Sequence, residues 1–244
     1  MIHATYALSI VDDQKAGLKS VEEYLLATAQ GAFSGIEFVL SSDSILEEAE
    51  KIRELCYKHQ IAPASGVISL STLGLEPNQC AETYLDALDT LGVEQVVIEG
   101  VPATTKPWND DSTRDHLVLI SESCTERGLT VTYRLPRLDR TAPFLAADED
   151  DTRVVIDVGP DSPPASLEQL GQWGDRVAGI RTRIDGLIDA DLKQIGERLE
   201  SIQFSGWITI CGTGNDGPGR AASALRSLER LQARLETQAR DCPF

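Results

Sequence analysis

The chain has 244 residues, a length that allows one large core or at most two small ones. Hydrophobic residues make up 41% and charged residues 25%, the balance of a soluble globular protein, and no apolar run approaches the ~20 residues needed to cross a bilayer. A net charge of −17 repels DNA, RNA and anionic lipid, which sets nucleic-acid and membrane-surface roles aside.

Apolar strand-like runs alternate with segments of helical period from end to end. The first strand is expected at "ATYALSI" (4–10), followed by the helix "SVEEYLLATAQG", with Ser20 as N-cap and Gly31 as C-cap. "GIEFVL" (35–40) is the second strand. "DSILEEAEKIRELCYKHQ" follows as a helix that places Ile45, Ala49, Ile52 and Cys56 on one face. "IAPASGVISL" (61–70) is the third strand, and "PNQCAETYLDALDTLG" opens its helix on Pro77 and closes it on Gly92, the usual asymmetry of helix ends. The remaining strands are "EQVVIEGV" (94–101), "LTVTYRL" (129–135), "RVVIDVG" (153–159), "RVAGIRTRI" (176–184) and "GWITIC" (206–211). "PRLDRTAPFLAADEDD" reads as a long loop with one short helical turn, and "AASALRSLERLQARLETQ" as the closing helix.

Eight strand–helix units at this length predict a single (β/α)8 barrel of α/β class, one domain over residues 1–244. A doubly wound sheet would place a Gly-rich phosphate turn after its first strand, and "SIVDDQKAG" has none. The N-terminus "MIHATYALSIVDD" lacks a basic region and a small-residue cleavage site, and the five cysteines (56, 80, 124, 211, 242) show neither metal-finger nor redox-pair spacing. Both features lead to the expectation of a cytoplasmic protein with reduced thiols.

In this barrel the strand C-terminal ends carry the active face. His3 starts the first strand, His59 ends the second helix and His116 lies within the fourth, so no histidine falls on that face. Acidic and basic residues do. Glu37 lies in the second strand, Glu99 ends the fourth, Arg134 the fifth and Asp157 the sixth, while Arg181 and Arg183 share one face of the seventh and, with Arg134, are candidates to bind an anionic ligand. Asp157 and Glu99 are candidates for proton transfer, with Glu37 either a third or their support.

With the strands laid out, the chain resembles the sugar phosphate isomerase/epimerase superfamily, the xylose isomerase-like TIM barrels. The resemblance rests on "GAFSGIEFVL", "LDTLGVEQVVIEG", "VVIDVGP" and "FSGWITICG", which are similar to that family's second, fourth, sixth and eighth strands. It implies a xylose isomerase-like barrel and chemistry on a small sugar, polyol or keto-acid, with a homo-oligomer as one family habit. It also implies a divalent metal at the mouth, held by a Glu on strand five, an Asp on strand six, a His on strand seven and a Glu on strand eight. In this chain those places fall on Arg134, Asp157, Arg181 (or Thr182 with a one-residue slip) and Cys211, and the companion His after strand six is Pro160. A guanidinium has no lone pair to give, so neither a metal nor another cofactor is expected.

Arg134 therefore has two readings. It holds a substrate oxygen or anion in place of the metal, or it forms a structural salt bridge with Asp157. "CGTGNDGPGR" supports the first reading, because Gly212, Gly214 and Arg220 sit where this fold commonly binds phosphate. Trp108 in the loop after strand four is a candidate wall, whereas Trp173 and Trp207 read as packing residues. The leading expectation is an isomerase or epimerase-like protein for a small anionic molecule, a sugar phosphate or carboxylate. The alternatives are a degenerate barrel that binds an anion without turnover, and a lyase or dehydratase working through an enolate.

Overall fold

A computed structural model describes residues 5–11, 18–30, 33–40, 47–69, 77–99, 111–134, 153–158, 168, 170–182, 189–211, 223–224, 226–227, 229–230 and 233. Eight parallel strands close into a barrel in chain order. They are β1 (Thr5–Val11), β2 (Gly35–Leu40), β3 (Ala62–Ser69), β4 (Gln95–Glu99), β5 (Thr130–Arg134), β6 (Arg153–Val158), β7 (Val177–Thr182) and β8 (Trp207–Ile210). The ring shuts where β8 pairs with β1, Thr5 opposite Trp207 and Leu8 opposite Ile210. Around it run α1 (Leu18–Gln30), α2 (Ala49–His59), α3 (Pro77–Leu91), α4 (Asp111–Glu126) and α5 (Asp189–Ser201). None of the described helices is long and apolar enough to cross a membrane.

The period-2 pattern of the strands sorts their side chains into two clusters. Ile36, Phe38, Ile68, Val96, Ile98, Val154, Ile156 and Ile208 join Leu25, Ile52, Leu85 and Leu88 of the helices in the large cluster between barrel and helices. Each such fully buried aliphatic side chain stabilises by about 1.5–3 kcal/mol relative to an exposed one. The opposite parity points into the lumen. There Val67, Val97 and Val155 form a separate small cluster, with Val39 packed against it. The same parity also carries Glu37, Ser65, Glu99, Thr132, Arg134, Asp157 and Arg181, and that is where the site lies.

Helix ends follow the expected chemistry with one exception. Ala49, Ile52 and Cys56 are buried along one side of α2 as the spacing requires, and Ile45 lies outside the described residues. α3 starts on Pro77, and Gly92 closes it with φ +77, a conformation costly for residues with a Cβ, while Val93 N–H donates to the Leu88 carbonyl. Ser20 is not an N-cap: α1 begins two residues earlier, at Leu18, which continues the i, i+3, i+7 spacing of Val21 and Leu25. Gly31, the loop 136–151 and the closing helix's side-chain spacing are not covered by the described residues in full.

Trp173 and Trp207 both pack. Trp173 is buried, with the Arg176 guanidinium 4.6 Å from its ring centre. Trp207 sits at the strand N-terminal end against Gly35, where an added Cβ would come within 2.6 Å of the ring. Around Trp207 and Gln95 a cavity of about 620 Å³ opens at this end of the barrel, away from the strand C-termini.

Candidate functional site

Five ionisable side chains converge on the C-terminal half of the lumen, one each from β2, β4, β5, β6 and β7. Arg134, the last residue of β5, lies flat between its two neighbouring strands. Its Nε and Nη2 donate to Asp157 Oδ2 on β6 at 2.8 and 2.6 Å, and its Nη1 donates to Glu99 Oε2 on β4. Three of the guanidinium's five N–H groups are thus committed, and the side chain keeps 31% exposure. Burial and the charge of Arg181 push against its protonation; Asp157 and Glu99 more than offset them, so the group is held firmly as a cation.

Arg181 reaches further. From β7 its Nε lies 2.9 Å from Glu37 Oε1 on β2, past the intervening β8 and β1, and its Nη1 lies 3.8 Å from Glu99 Oε2 on β4. The contact with Glu37 is one of ions side by side rather than an aligned hydrogen bond. Both partners are buried, Arg181 at 8% and Glu37 at 1% side-chain exposure. Burial opposes the charge on Arg181, and Glu37, with smaller help from Asp157 and Glu99, raises its pKa beyond the ordinary arginine value. Glu37 is held on its other oxygen by Ser65 Oγ of β3, which donates to Oε2 at 3.2 Å.

Two register shifts build this arrangement. Between β2 and β3 the pairing slips at Ile36/Glu37, which sets Ser65 opposite Glu37. Between β6 and β7 it slips at Val154/Val155, which sets Asp157 opposite Arg181 instead of Ile180. Each slip re-aims the strand so that a polar residue shares the lumen with a charged partner, a common use of bulges beside functional sites. Lower in the lumen, Gln95 Nε2 donates to Thr132 Oγ1 at 2.9 Å, and Thr132 Oγ1 donates to the Val96 carbonyl at 3.2 Å.

The structure therefore brings together Glu37, Glu99, Arg134, Asp157 and Arg181. Thr182 turns away from this face, so the strand register selects Arg181 for the lumen. Cys211 follows β8 directly. Its backbone N–H donates to the Thr182 carbonyl at 2.8 Å, and its thiol pKa is raised, chiefly by burial, with the nearby Arg181 acting in the opposite sense. Arg183, Gly212, Gly214, Arg220 and Trp108 lie outside the described residues. Three carboxylates face two guanidinium groups, so the described part of the mouth carries one negative charge in excess. Among the described residues each arginine has acidic partners from other strands, and the Arg134–Asp157 salt bridge is one of the two readings the sequence left open. Ser65 was not anticipated, and neither was the reach of Arg181 to Glu37.

Among the described residues no three His, Cys, Asp or Glu side chains group as a metal site would, and Glu99 and Asp157 each have an oxygen taken by Arg134.

No family model matches the chain, and no curated protein matches it in sequence. Solved structures do match in fold. A sugar phosphate isomerase/epimerase from Parabacteroides distasonis is similar with a TM-score of 0.69 and 13% identity, over 94% of each chain. A xylose isomerase domain protein from Planctomyces limnophilus is similar with a TM-score of 0.65 and 13% identity, over 97% of this chain and 98% of that one. The D-psicose 3-epimerase of Clostridium cellulolyticum, solved with D-tagatose, is similar with a TM-score of 0.61 and 13% identity, over 96% and 97%. The fold of this chain is that of the xylose isomerase-like TIM barrels.

Proposed function

We propose that this protein is a sugar isomerase or epimerase-like barrel, a single domain that binds and turns over a small sugar, polyol or keto-acid at its C-terminal mouth. The observation that carries the reading is Arg134: a partly exposed guanidinium with two N–H groups that take no partner among the described residues, set between two partly exposed carboxylates on neighbouring strands. That is a pairing suited to an enediolate. The cation holds an oxygen as negative charge develops on it, and Asp157 or Glu99 moves the proton from the neighbouring carbon. Glu37, buried behind them, serves as support for Arg181. The sugar-acting proteins that share the fold favour this chemistry over others hosted by TIM barrels.

An anionic group on the ligand, a phosphate or carboxylate, would be met by Arg134 together with Arg183, Gly212, Gly214 and Arg220, with Trp108 as a wall. One observation favours binding without turnover: both arginines are already engaged by carboxylates, as in a purely structural network.

The test is proton exchange. Aldoses, ketoses, their phosphates and small keto-acids are incubated with the protein in D2O, and loss of the C–H signal next to the carbonyl is followed by NMR. Exchange on one class, reduced about a hundredfold or more in Asp157→Asn or Arg134→Met, is the expected result, since removing a positioned acid–base group costs about 10²–10⁴. Binding by calorimetry with no exchange on any compound would establish the non-catalytic reading instead.

A further inference from the structure

We propose that Arg134 is a built-in cation: its guanidinium occupies the place between Glu99 and Asp157 where a divalent ion would be bound, and by occupying it excludes the ion. The inference deepens the reading of the mouth as a ligand site and rests on it, but its test needs no substrate.

Carboxylates at the end of parallel strands are the donors a hard divalent cation uses. Here Asp157 Oδ2 receives two N–H groups of Arg134, and Glu99 Oε2 receives a third. One planar group thus draws two carboxylates from strands on either side of it, as a metal ion would, but with directed hydrogen bonds. Glu99 Oε2 also lies 3.8 Å from Arg181 Nη1. A divalent ion bound to that oxygen at about 2.1 Å would sit no more than about 6 Å from Arg181 and nearer still to Arg134. Two fixed positive charges at that range in a partly buried site oppose it strongly.

The arrangement also has a use. An ion brings open coordination positions to a substrate. Arg134 brings two N–H groups without a partner among the described residues, on a side chain that is 31% exposed. The carboxylates on either side hold the guanidinium in place, and Glu99 contacts both arginines. The cation is then always present and independent of metal supply.

The test uses the full chain, stripped of metal, and Mn2+ as the probe, read by the EPR signal of free Mn2+ and by calorimetry. The wild type should show no site tighter than millimolar, and its melting temperature should be the same in Mn2+ and in EDTA. Arg134→Met, which keeps an unbranched apolar stem and removes the charged head, should gain Mn2+ affinity by about tenfold or more, about 1.4 kcal/mol. Adding Glu99→Gln to that variant should remove the gain. Should Arg134→Met fail to fold, as judged by circular dichroism, Arg134→Gln takes its place, and the wild-type titration stands by itself. A micromolar Mn2+ site in the wild type that is lost in Asp157→Asn overturns the inference, as does a folded Arg134 variant with no gain. A silent sugar panel in D2O would sink the isomerase reading without altering the Mn2+ result, and a wild-type metal site would do the reverse.

Discussion

Arg181 on β7 and Glu37 on β2 meet inside the barrel at 2.9 Å, with two strands between them in the ring. Both are buried, so removal of either takes away the nearest counter-charge of a group held away from water. Glu37→Gln and Arg181→Met should each cost about 3–5 kcal/mol, whereas the double substitution Glu37→Leu/Arg181→Met should recover a large part of the loss. Guanidinium denaturation of the four proteins checks this. Single-variant losses below about 1 kcal/mol would mean that water reaches the pair.

Gly35→Ala should destabilise by about 1–3 kcal/mol through overpacking. The added methyl meets the Trp207 ring at 2.6 Å and the Ala62 carbonyl at 3.1 Å, and neither neighbour is a flexible chain end. Denaturation measures the loss, and tryptophan fluorescence should report the displaced ring. A variant as stable as the wild type, with unchanged emission, would contradict the close packing at this end of the lumen.

The thiols of Cys56 and Cys124 give a pH dependence with a definite sign. Burial pushes both from the ordinary 9.0 up to about 12, against smaller opposing effects from a backbone hydrogen bond at Cys56 and from Arg127 at Cys124. Above pH 9 the unfolded chain releases these protons while the folded chain keeps them, so their contribution is complete below that pH and is lost as pH rises towards 12. Each thiol should steepen the fall in stability by about 1.4 kcal/mol per pH unit within that window. Urea denaturation of the wild type and of Cys56→Ala/Cys124→Ala at several pH values isolates the effect as a difference in slope. Parallel curves would refute it.

Arg127, by contrast, holds an exposed network. It donates to Glu82 at 2.5 Å and to Asp86 at 2.7 Å, linking the residue after α4 to α3, and those carboxylates are 46% and 68% exposed. Arg127→Ala should cost about 1 kcal/mol or less, and the cost should shrink further in high salt. A larger, salt-independent loss would show that the side chain's packing matters more than its charge.

Much of this was legible in the sequence because strands obey parity. In "GIEFVL" the alternation alone assigns Ile36 and Phe38 to the helices and Glu37 to the lumen, and the structure agrees. Arg134, Asp157 and Glu99 were readable for the same reason: they end strands, and strand ends in a barrel converge. What could not be read was partnership across the lumen. Neither Arg181 with Glu37 nor Ser65 with Glu37 follows from spacing, because the first joins strands that are not neighbours and the second depends on a register slip at Ile36/Glu37. A slip of one residue changes every facing pair beyond it and leaves no mark in composition.

The seam between β1 and β8 joins the first strand of the chain to its last. Such a pairing closes a long loop, and the entropy of that closure weighs against its forming early. The Arg181–Glu37 contact spans that seam on the inside, from β7 over β8 and β1 to β2. It has no counterpart until the ring is shut, and then it acts as a latch across the closure. Its weakening should therefore hasten opening while leaving the rate of refolding nearly unchanged, which is the kinetic signature of an interaction absent from the transition state.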